Sequence, residues 1–521
     1  MVTTIAGHEV ASLIKDNATL YTCGFGLAGF PEEVAIRLKE SFLTTGHPRN
    51  LTLYFGASIG NTKDRGLHHF AQEGMFKRMV GGHFGVCGPE LGKLIRDNKL
   101  EVYNFPQGVM AGMARNIAAH RPGMITKVGL GTYVDPRLEG GKITSRATED
   151  LVKVIELDGE EWLYYKAPKV DVALIRGSVA DENGNLTLDR EGMILETISL
   201  AQAAKNCGGI VIAQVEQIVK AGTLHPKQVK VPGICIDYLV VAKPENHLQT
   251  MGTYYNRAFA GDVKIPVDSL VPLKLDERKI IARRAALELT PGAVVNIGIG
   301  MPEGTAAVAA EEKVDHLLKL TTESGIVGGI PAGGLDFGHA VNAEAIIDQP
   351  YQFDFYDGGG VDIGFLGLAQ TDRYGNINVS KFGPKFAGCG GFINITQTCK
   401  KAVFCGTFTA DGLKTEIKDN ALTILQEGKS KKFLSHVEQI TFSGAYAAGV
   451  GQPVLYITER AVFTLTPEGL ELTEVAPGID IERDVLQQMD FVPIMNKVTT
   501  MDPAIFQETW GGLAAAIASK K

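Results

Sequence analysis

A carboxylate set among hydroxyls and glycines is the first feature of this chain whose type and spacing could do chemistry. In "HLLKLTTESGIVGG" (residues 316–329) an apolar run with the character of a buried strand leads into Thr321, Thr322, Glu323, Ser324 and Gly325. Glu323 has no Lys or Arg immediately beside it, so burying it costs solvation free energy unless water or hydrogen bonds meet the charge. Two readings follow. Glu323 is a reactive carboxylate, or it opens a helix and is satisfied by backbone N–H groups where the strand turns over.

Four other constellations compete for attention. "GFGLAG" (Gly24, Gly26, Gly29) follows a strand and matches G-x-G-x-x-G, the dinucleotide fingerprint. The next strand, "LTLYFGAS", ends in Gly56, Ala57 and Ser58 where a ribose-binding acid is needed, and Glu32-Glu33 occupy the helix start where a pyrophosphate would sit, which argues against NAD. "GASIG" (56–60) imitates the G-x-S-x-G elbow with Ser58 as nucleophile, but only about one strand precedes it, too early for an elbow. "FDFYDGGGVD" supplies Asp354, Asp357 and Asp362 without histidine or EF-hand spacing, and a glycine turn explains it equally well. His68, His69 and His83 lack a ligand pattern such as H-E-x-x-H, so no metal is expected.

The elements that position these residues come from the rest of the chain. With 521 residues the chain is too long for one ordinary core, and two large domains are expected. A net charge of −8 argues against a nucleic-acid partner, which needs a basic face, while leaving room for a small anionic ligand held locally. Seven scattered cysteines without C-x-x-C point to neither disulfides nor zinc and suit a reducing cytoplasm. The N-terminal stretch lacks a signal-peptide pattern and no apolar run reaches about 18 residues, so a protein without a membrane span is expected.

Two pairs of segments share a design. "NATLYTCGFGLAGFPEEVAIRLKE" and "PGAVVNIGIGMPEGTAAVAAEE" each read as a strand, a Gly-x-Gly turn and a helix with Pro at its first position and acid in its first turn. "VDVALIRGSVADENGNLTLD" aligns without gaps to "VDIGFLGLAQTDRYGNINVS", giving strand, turn and strand in both. Internal duplication of an α/β domain accounts for both pairs. The predicted architecture is two related open α/β domains, 1–272 and 273–521, with mostly parallel sheets covered by helices and a Pro-bearing linker over 259–277. The first half carries a turn-rich excursion, "TYVDPRLEGGKITSRATEDLVKVIELDGEEWLYYK". Ligands in such folds sit beyond the carboxyl ends of the strands, where the glycine turns and Glu323 emerge.

Taken in order, "GFGLAGFPE", "NFPQG", "GIGMPEG", "TESGIVGG", "GGGVDIGFLGLAQTDRYGNINVSKFG", "GCGGFINI", "YITERAVF" and "EVAPGIDIERDVL" resemble the family I CoA-transferases, most closely its single-chain propionate or acetate members. The resemblance covers essentially the whole chain. It implies that Glu323 is the nucleophile, that Gly390-Gly391 lies where the family places oxyanion donors, that Gly24 and Ser58 line the pocket, and that Gln107 occupies an active-site position. It also implies that Gly298, Ile299, Gly300, Met301 and Pro302 form the CoA-contacting loop. Lys381 and Lys385 have two readings: a solvated lysine pair, the more usual one, or the positive charge that meets the CoA phosphates. Thr322 before and Ser324 after Glu323 depart from the Ser-Glu-Asn of dicarboxylate-handling members and leave the acid preference open.

A carboxylate nucleophile suits this chemistry, because exchange of CoA between carboxylic acids without ATP requires the thioester's free energy to be conserved. The expected activity is acyl-CoA:carboxylate CoA transfer among short monocarboxylates (propionate, acetate, butyrate) through a γ-glutamyl-CoA thioester on Glu323, with no cofactor beyond CoA as substrate. A cytoplasmic homo-oligomer, by resemblance a tetramer, is expected. A thioesterase using the same glutamate and a non-catalytic metabolite sensor are the alternatives.

Overall fold

A computed structural model describes residues 2–266 and 272–520 of the chain. Part of the expected linker, residues 267–271, lies outside the described residues. The chain forms two compact units that interleave along the sequence. The first holds residues 1–265 together with Thr322–Phe355 and Gly383–Asn394; the second holds Pro266–Thr321, Tyr356–Phe382 and Ile395–Lys521. The expected division at 272–273 is one of sequence; in the fold, Thr322–Phe355 and Gly383–Asn394 of the second half belong to the first unit.

The first unit is built on an eight-stranded sheet in the order Thr3–Thr4, Tyr238–Val241, Ile210–Val215, Val172–Arg176, Thr19–Thr22, Leu51–Phe55, Phe76–Gly81, Glu101–Asn104. Every neighbouring pair is parallel. Leu51–Phe55 is buried at all five positions, the continuous apolar pattern that a strand covered on both faces requires. Its Leu53 and Phe55 pack in one core with Val34 and Leu38 of the helix Glu32–Thr45. Gly46 ends that helix in the left-handed region at φ 72°, its N–H donating to the carbonyl of Phe42. The proline expected at the first helical position stands one residue earlier. Pro31 caps this helix and Pro302 caps Glu303–Glu311, so Glu32 and Glu303 are the first helical residues in each.

In the second unit the strands Lys319–Thr322, Val294–Ile297, Ile363–Gly367, Lys401–Cys405 and Val454–Ile457 run parallel in that order, and Ala461–Thr466 and Gly469–Val475 continue the sheet antiparallel. Val295, Ile363, Phe365 and Val403 form its core with Ile280 and Ile281 of the helix Glu277–Ala286.

The duplication is visible at atomic detail. Asp171 Oδ2 accepts from the N–H of Thr19 at 2.9 Å, and Asp362 Oδ2 accepts from the N–H of Val294 at 2.8 Å, so the aligned Val-Asp pairs lock the same two strands in each unit. Further along, Asp181 Oδ1 accepts from the N–H groups of Asn183 and Asn185 at 2.9 and 3.0 Å, and Asp372 Oδ1 from those of Tyr374 and Asn376 at 3.0 and 3.1 Å. These are Asx turns, in which a side chain supplies the acceptor that a tight turn lacks.

The excursion in the first half is more regular than its turn-rich composition suggests. Val152–Leu157 and Glu160–Lys166 form a hairpin, extended by Gly123–Thr126. Its two-residue loop is Asp158-Gly159, with φ of 51° and 80°, the Asp-Gly chemistry of a type I′ turn. Among the described residues no helix is long and apolar enough to cross a membrane.

Candidate functional site

The strand Lys319–Thr322 ends in a turn, and Glu323 stands in that turn rather than at a helix start. Gly325 makes the turn possible: its φ is +107°, and a Cβ there would lie 2.1 Å from the carbonyl oxygen of Ile347. The flanking hydroxyls serve the turn and leave the glutamate alone. Ser324 Oγ donates to the carbonyl of Gly338 at 2.7 Å and lies 2.7 Å from Thr322 Oγ1. Gln349 Nε2 donates to the backbone carbonyl of Glu323 at 3.2 Å, and the N–H of Ile347 donates to the carbonyl of Gly325 at 2.8 Å.

The Glu323 side chain is half-buried and has no ion-pair partner among the described residues. Burial raises its pKa above the ordinary glutamate value; its own backbone N–H opposes the shift. A carboxylate that keeps much of its basicity and meets no cation is a better nucleophile than an ion-paired one.

Within the same unit the glycine loops interlock. The N–H of Gln107 donates to the carbonyl of Gly390 at 2.9 Å, and the N–H of Gly390 donates to that of Gly82 at 2.8 Å. Asn104 Nδ2 spans the carbonyls of Gly81 and Gly82 at 2.6 and 2.7 Å, while its Oδ1 accepts from the N–H of Cys389 at 3.0 Å and from the hydroxyl of Tyr133. These bonds join the start of the helix Gln107–Ala118 to the "GCGG" loop. Two donors are left over. Gln107 is 2% exposed and its Nε2 has no partner, and the N–H of Gly391 finds no acceptor among the described residues. His83 also faces this loop; its ring lies 3.7 Å from where a Cβ of Gly390 would stand, and burial holds it neutral with a pKa down at about 4.

Other predicted residues fall where their surroundings describe them. Gly24 is enclosed by Ile59 and Phe30, with room for no side chain: a Cβ would meet Ile59 Cγ1 at 2.9 Å. Ser58 accepts at Oγ from the N–H of Val86 at 3.2 Å, and its carbonyl accepts from the N–H of Gly26 at 2.8 Å, so it ties loops together and stands on no strand-to-helix elbow. The Glu32-Glu33 pair is held by protein partners: Glu32 by His69 at 2.8 Å and by the N–H of Gly66 at 3.0 Å, Glu33 by Arg37 at 2.7 Å and Asn246 at 2.6 Å. Asp354 pairs with Arg115 at 2.5 Å and Asp362 with Lys400 at 2.7 Å. Among the described residues no three His, Cys, Asp or Glu side chains could together hold a metal ion.

The "GIGMP" loop belongs to the second unit. The N–H of Gly298 donates to the carbonyl of Phe365 at 2.8 Å, Ile299 is exposed, and Gly300 sits at φ +87° with open space on its side-chain face. Lys381 lies 3.6 Å from Glu438, and Lys385 is exposed.

Sequence reasoning missed Glu196 and Gln349. Both are buried, at 1% and 0% exposure, and each has an oxygen, Oε1, without a partner. Those oxygens converge on Gly56, whose Cβ would lie 3.1 Å from Glu196 Oε1 and 3.8 Å from Gln349 Oε1. Burial raises the Glu196 pKa to about 7. A signal was present in "MILETISL", an isolated acid in an apolar segment with no Lys or Arg beside it, an anomaly related to the one that singled out Glu323.

Comparison with known proteins agrees with this architecture. The coenzyme A transferase family model matches residues 3–242. The chain is 50% identical over 516 residues to the caffeate CoA-transferase of Acetobacterium woodii, covering 98% of each. It is 44% identical over 508 residues to the acetate CoA-transferase YdiF of Escherichia coli K12, covering 97% of this chain and 95% of that one. The crystal structure of the acyl-CoA transferase YdiF apoenzyme from Escherichia coli O157:H7 superposes with a TM-score of 0.92 at 42% identity, over 98% of this chain and 97% of that chain. With half its residues shared over nearly its full length, and the fold shared as well, the chain is a CoA-transferase of the coenzyme A transferase family.

Proposed function

We propose that this CoA-transferase exchanges CoA between short-chain monocarboxylic acids, propionate, acetate and butyrate, through a thioester on Glu323. In the first step a Glu323 oxygen attacks the acyl-CoA carbonyl, the C–S bond breaks, and CoA thiolate leaves an acyl-glutamyl anhydride. The thiolate then attacks the glutamyl carbonyl and expels the acid as its carboxylate, leaving γ-glutamyl-CoA. An incoming carboxylate reverses both steps, so the kinetics are ping-pong. Atoms and charge balance at each stage without any cofactor.

The observation that carries this reading is a half-buried glutamate without a cation, in the same unit as two unused donors, Gln107 Nε2 and the Gly391 N–H. Each tetrahedral intermediate develops an oxyanion, and a preorganised donor to it contributes about 3 kcal/mol or more. The reading draws support from a second YdiF structure, described as a thioester complex with CoA, which is 43% identical with a TM-score of 0.91. In this account Gly24 lines the pocket and Gly298, Ile299, Gly300, Met301 and Pro302 contact CoA, and the protein works as a cytoplasmic homo-oligomer, a tetramer.

A second acid class has a specific observation behind it: the relative named for caffeate is 50% identical, against 44% for the one named for acetate. Rates of CoA transfer from acetyl-CoA to propionate, butyrate and caffeate separate the two. Preference for propionate supports the short-chain reading, and preference for caffeate replaces it. Release of CoA that does not depend on any acceptor acid would make the protein a thioesterase instead.

A further inference from the structure

Among the described residues of the first unit, Glu196 is a deeply buried carboxyl that lies beside the nucleophile's support and has no part in the chemistry described above. It precedes the helix Thr197–Asn206, and the residue before it, Leu195, holds φ at +57°, a conformation that costs a non-glycine residue about 1 kcal/mol or more. The carbonyl of Leu195 accepts from the N–H of Gln349 at 3.1 Å. The strained backbone thus delivers Glu196 and Gln349 to the same place, on the open face of Gly56.

Two acceptor oxygens without donors lie there, each within 4 Å of where a Gly56 Cβ would stand. Gln349 Nε2 is already used on the Glu323 carbonyl, which leaves its Oε1 on the same side of Gly56 as Glu196 Oε1 with no donor to either oxygen. Leaving two buried acceptors unpaired is costly, and one proton satisfies both. We propose that Glu196 acts in its neutral form as a positioning residue: its carboxylic O–H donates to Gln349 Oε1, and this bond holds Gln349 Nε2 on the carbonyl of Glu323 and fixes the turn that carries the nucleophile.

The groups that face Glu196 favour the neutral form. Tyr21 and Cys23, from the strand Thr19–Thr22 and the residue just beyond it, are both buried, and burial together with Glu196 raises their own pKa values. Tyr21 donates its hydroxyl to the carbonyl of Met110 at 2.5 Å, and the Cys23 thiol donates to that of Gly29 at 3.0 Å. Arg176, the cation that acts on Cys23, is bound to Glu191. Asp348, beside Gln349, is itself shifted upward by burial. No cation stands against Glu196 among the causes of its own shift, which is burial opposed by its backbone N–H.

This inference rests on Glu323 as the nucleophile, and the test separates the two. Single-turnover formation of the CoA adduct is followed by intact mass across the range in which Glu196 titrates, for the wild-type protein, Glu196→Gln and Glu196→Leu. Hydrogen exchange of the peptide carrying Glu323 is measured on the same samples. In the wild type the rate should fall as Glu196 ionises; Glu196→Gln, which keeps an N–H donor, should remove that fall. Glu196→Leu should be slower than Glu196→Gln by roughly tenfold at every pH, about what one such hydrogen bond contributes, and should exchange faster at the Glu323 turn. An unchanged alkaline fall in Glu196→Gln, or wild-type exchange in Glu196→Leu, would overturn the proposal. So would a wild-type rate that rises on ionisation, the mark of a flipped Gln349 amide donating to a carboxylate. Absence of adduct in the wild type at any pH would instead remove the Glu323 reading, while the exchange arm would still decide the positioning.

Discussion

The backbone N–H of Gln107 donates to the carbonyl of Gly390 at 2.9 Å, and this bond joins the first residue of a helix in the front half of the chain to a glycine loop in the back half. It leaves the Gln107 side chain buried with its Nε2 unpaired. A buried amide donor without an acceptor is expensive in a resting protein and useful where an oxyanion will form.

Gln107→Leu, which keeps the volume and removes the donor, is therefore expected to slow adduct formation by roughly 100- to 1,000-fold while leaving the melting temperature at or above that of the wild type. Stopped-flow and intact mass measure the first, differential scanning fluorimetry the second. A rate within a few-fold of wild type would take Gln107 out of the oxyanion site.

Glu323 must be ionised to attack, and burial raises its pKa above the ordinary carboxylate value. The rate of adduct formation should thus fall as pH drops through that raised value. Together with the alkaline fall assigned to Glu196, whose pKa burial lifts to about 7, it should give a bell. A profile with no acid limb above the ordinary carboxylate range would contradict the burial argument.

The same burial acts on stability. Between the ordinary glutamate value and about 7, Glu196 holds its proton in the folded protein and has lost it in the unfolded chain, so the unfolded state binds fewer protons and stability falls as pH rises through this window. Glu196→Gln removes the titration. Its melting temperature relative to wild type should increase from acid to mildly alkaline pH; a constant difference would show that Glu196 is not protonated when folded.

Arg176 and Glu191 form a bidentate pair at 2.8 and 2.5 Å, both nearly inaccessible, and Arg176 also donates to the carbonyls of Leu27, Phe30 and Leu248. The guanidinium holds the Glu191 carboxyl well below the usual range, although burial alone would push it up. The stability this pair adds is present above the unfolded glutamate value and is lost as pH falls toward the folded one. Arg176→Met leaves the Glu191 charge buried and should destabilise the first unit by roughly 3–5 kcal/mol near neutral pH. Arg176→Met/Glu191→Gln should recover part of it. Urea unfolding measures both, and additive losses would argue that the pair is not coupled.

The sequence made some of this legible and hid the rest for identifiable reasons. The two Val-Asp segments align without gaps because each aspartate caps the same backbone N–H in its unit, a local constraint that leaves a local signature. Glu323 stood out because small residues and glycines flank it. Glu196 carries a related signature, a lone acid in an apolar segment, but its meaning depends on Gln349 and Gly56, which are far away in the chain. Ser58 looked like an elbow serine only as a pattern; its hydroxyl accepts from the N–H of Val86. The interleaving of Thr322–Phe355 and Gly383–Asn394 into the first unit was unreadable, because hydrophobic periodicity reports which face of an element is buried and says nothing of which core buries it.

The central claim is tested most directly by incubating the protein with propionyl-CoA without an acceptor acid, measuring its intact mass, and mapping the change after digestion beside Glu323→Ala. The account predicts a gain equal to CoA less one water on the peptide carrying Glu323, lost on adding acetate and absent from the variant. A folded wild-type protein that transfers CoA yet carries no such adduct, or carries it on another residue, would contradict it.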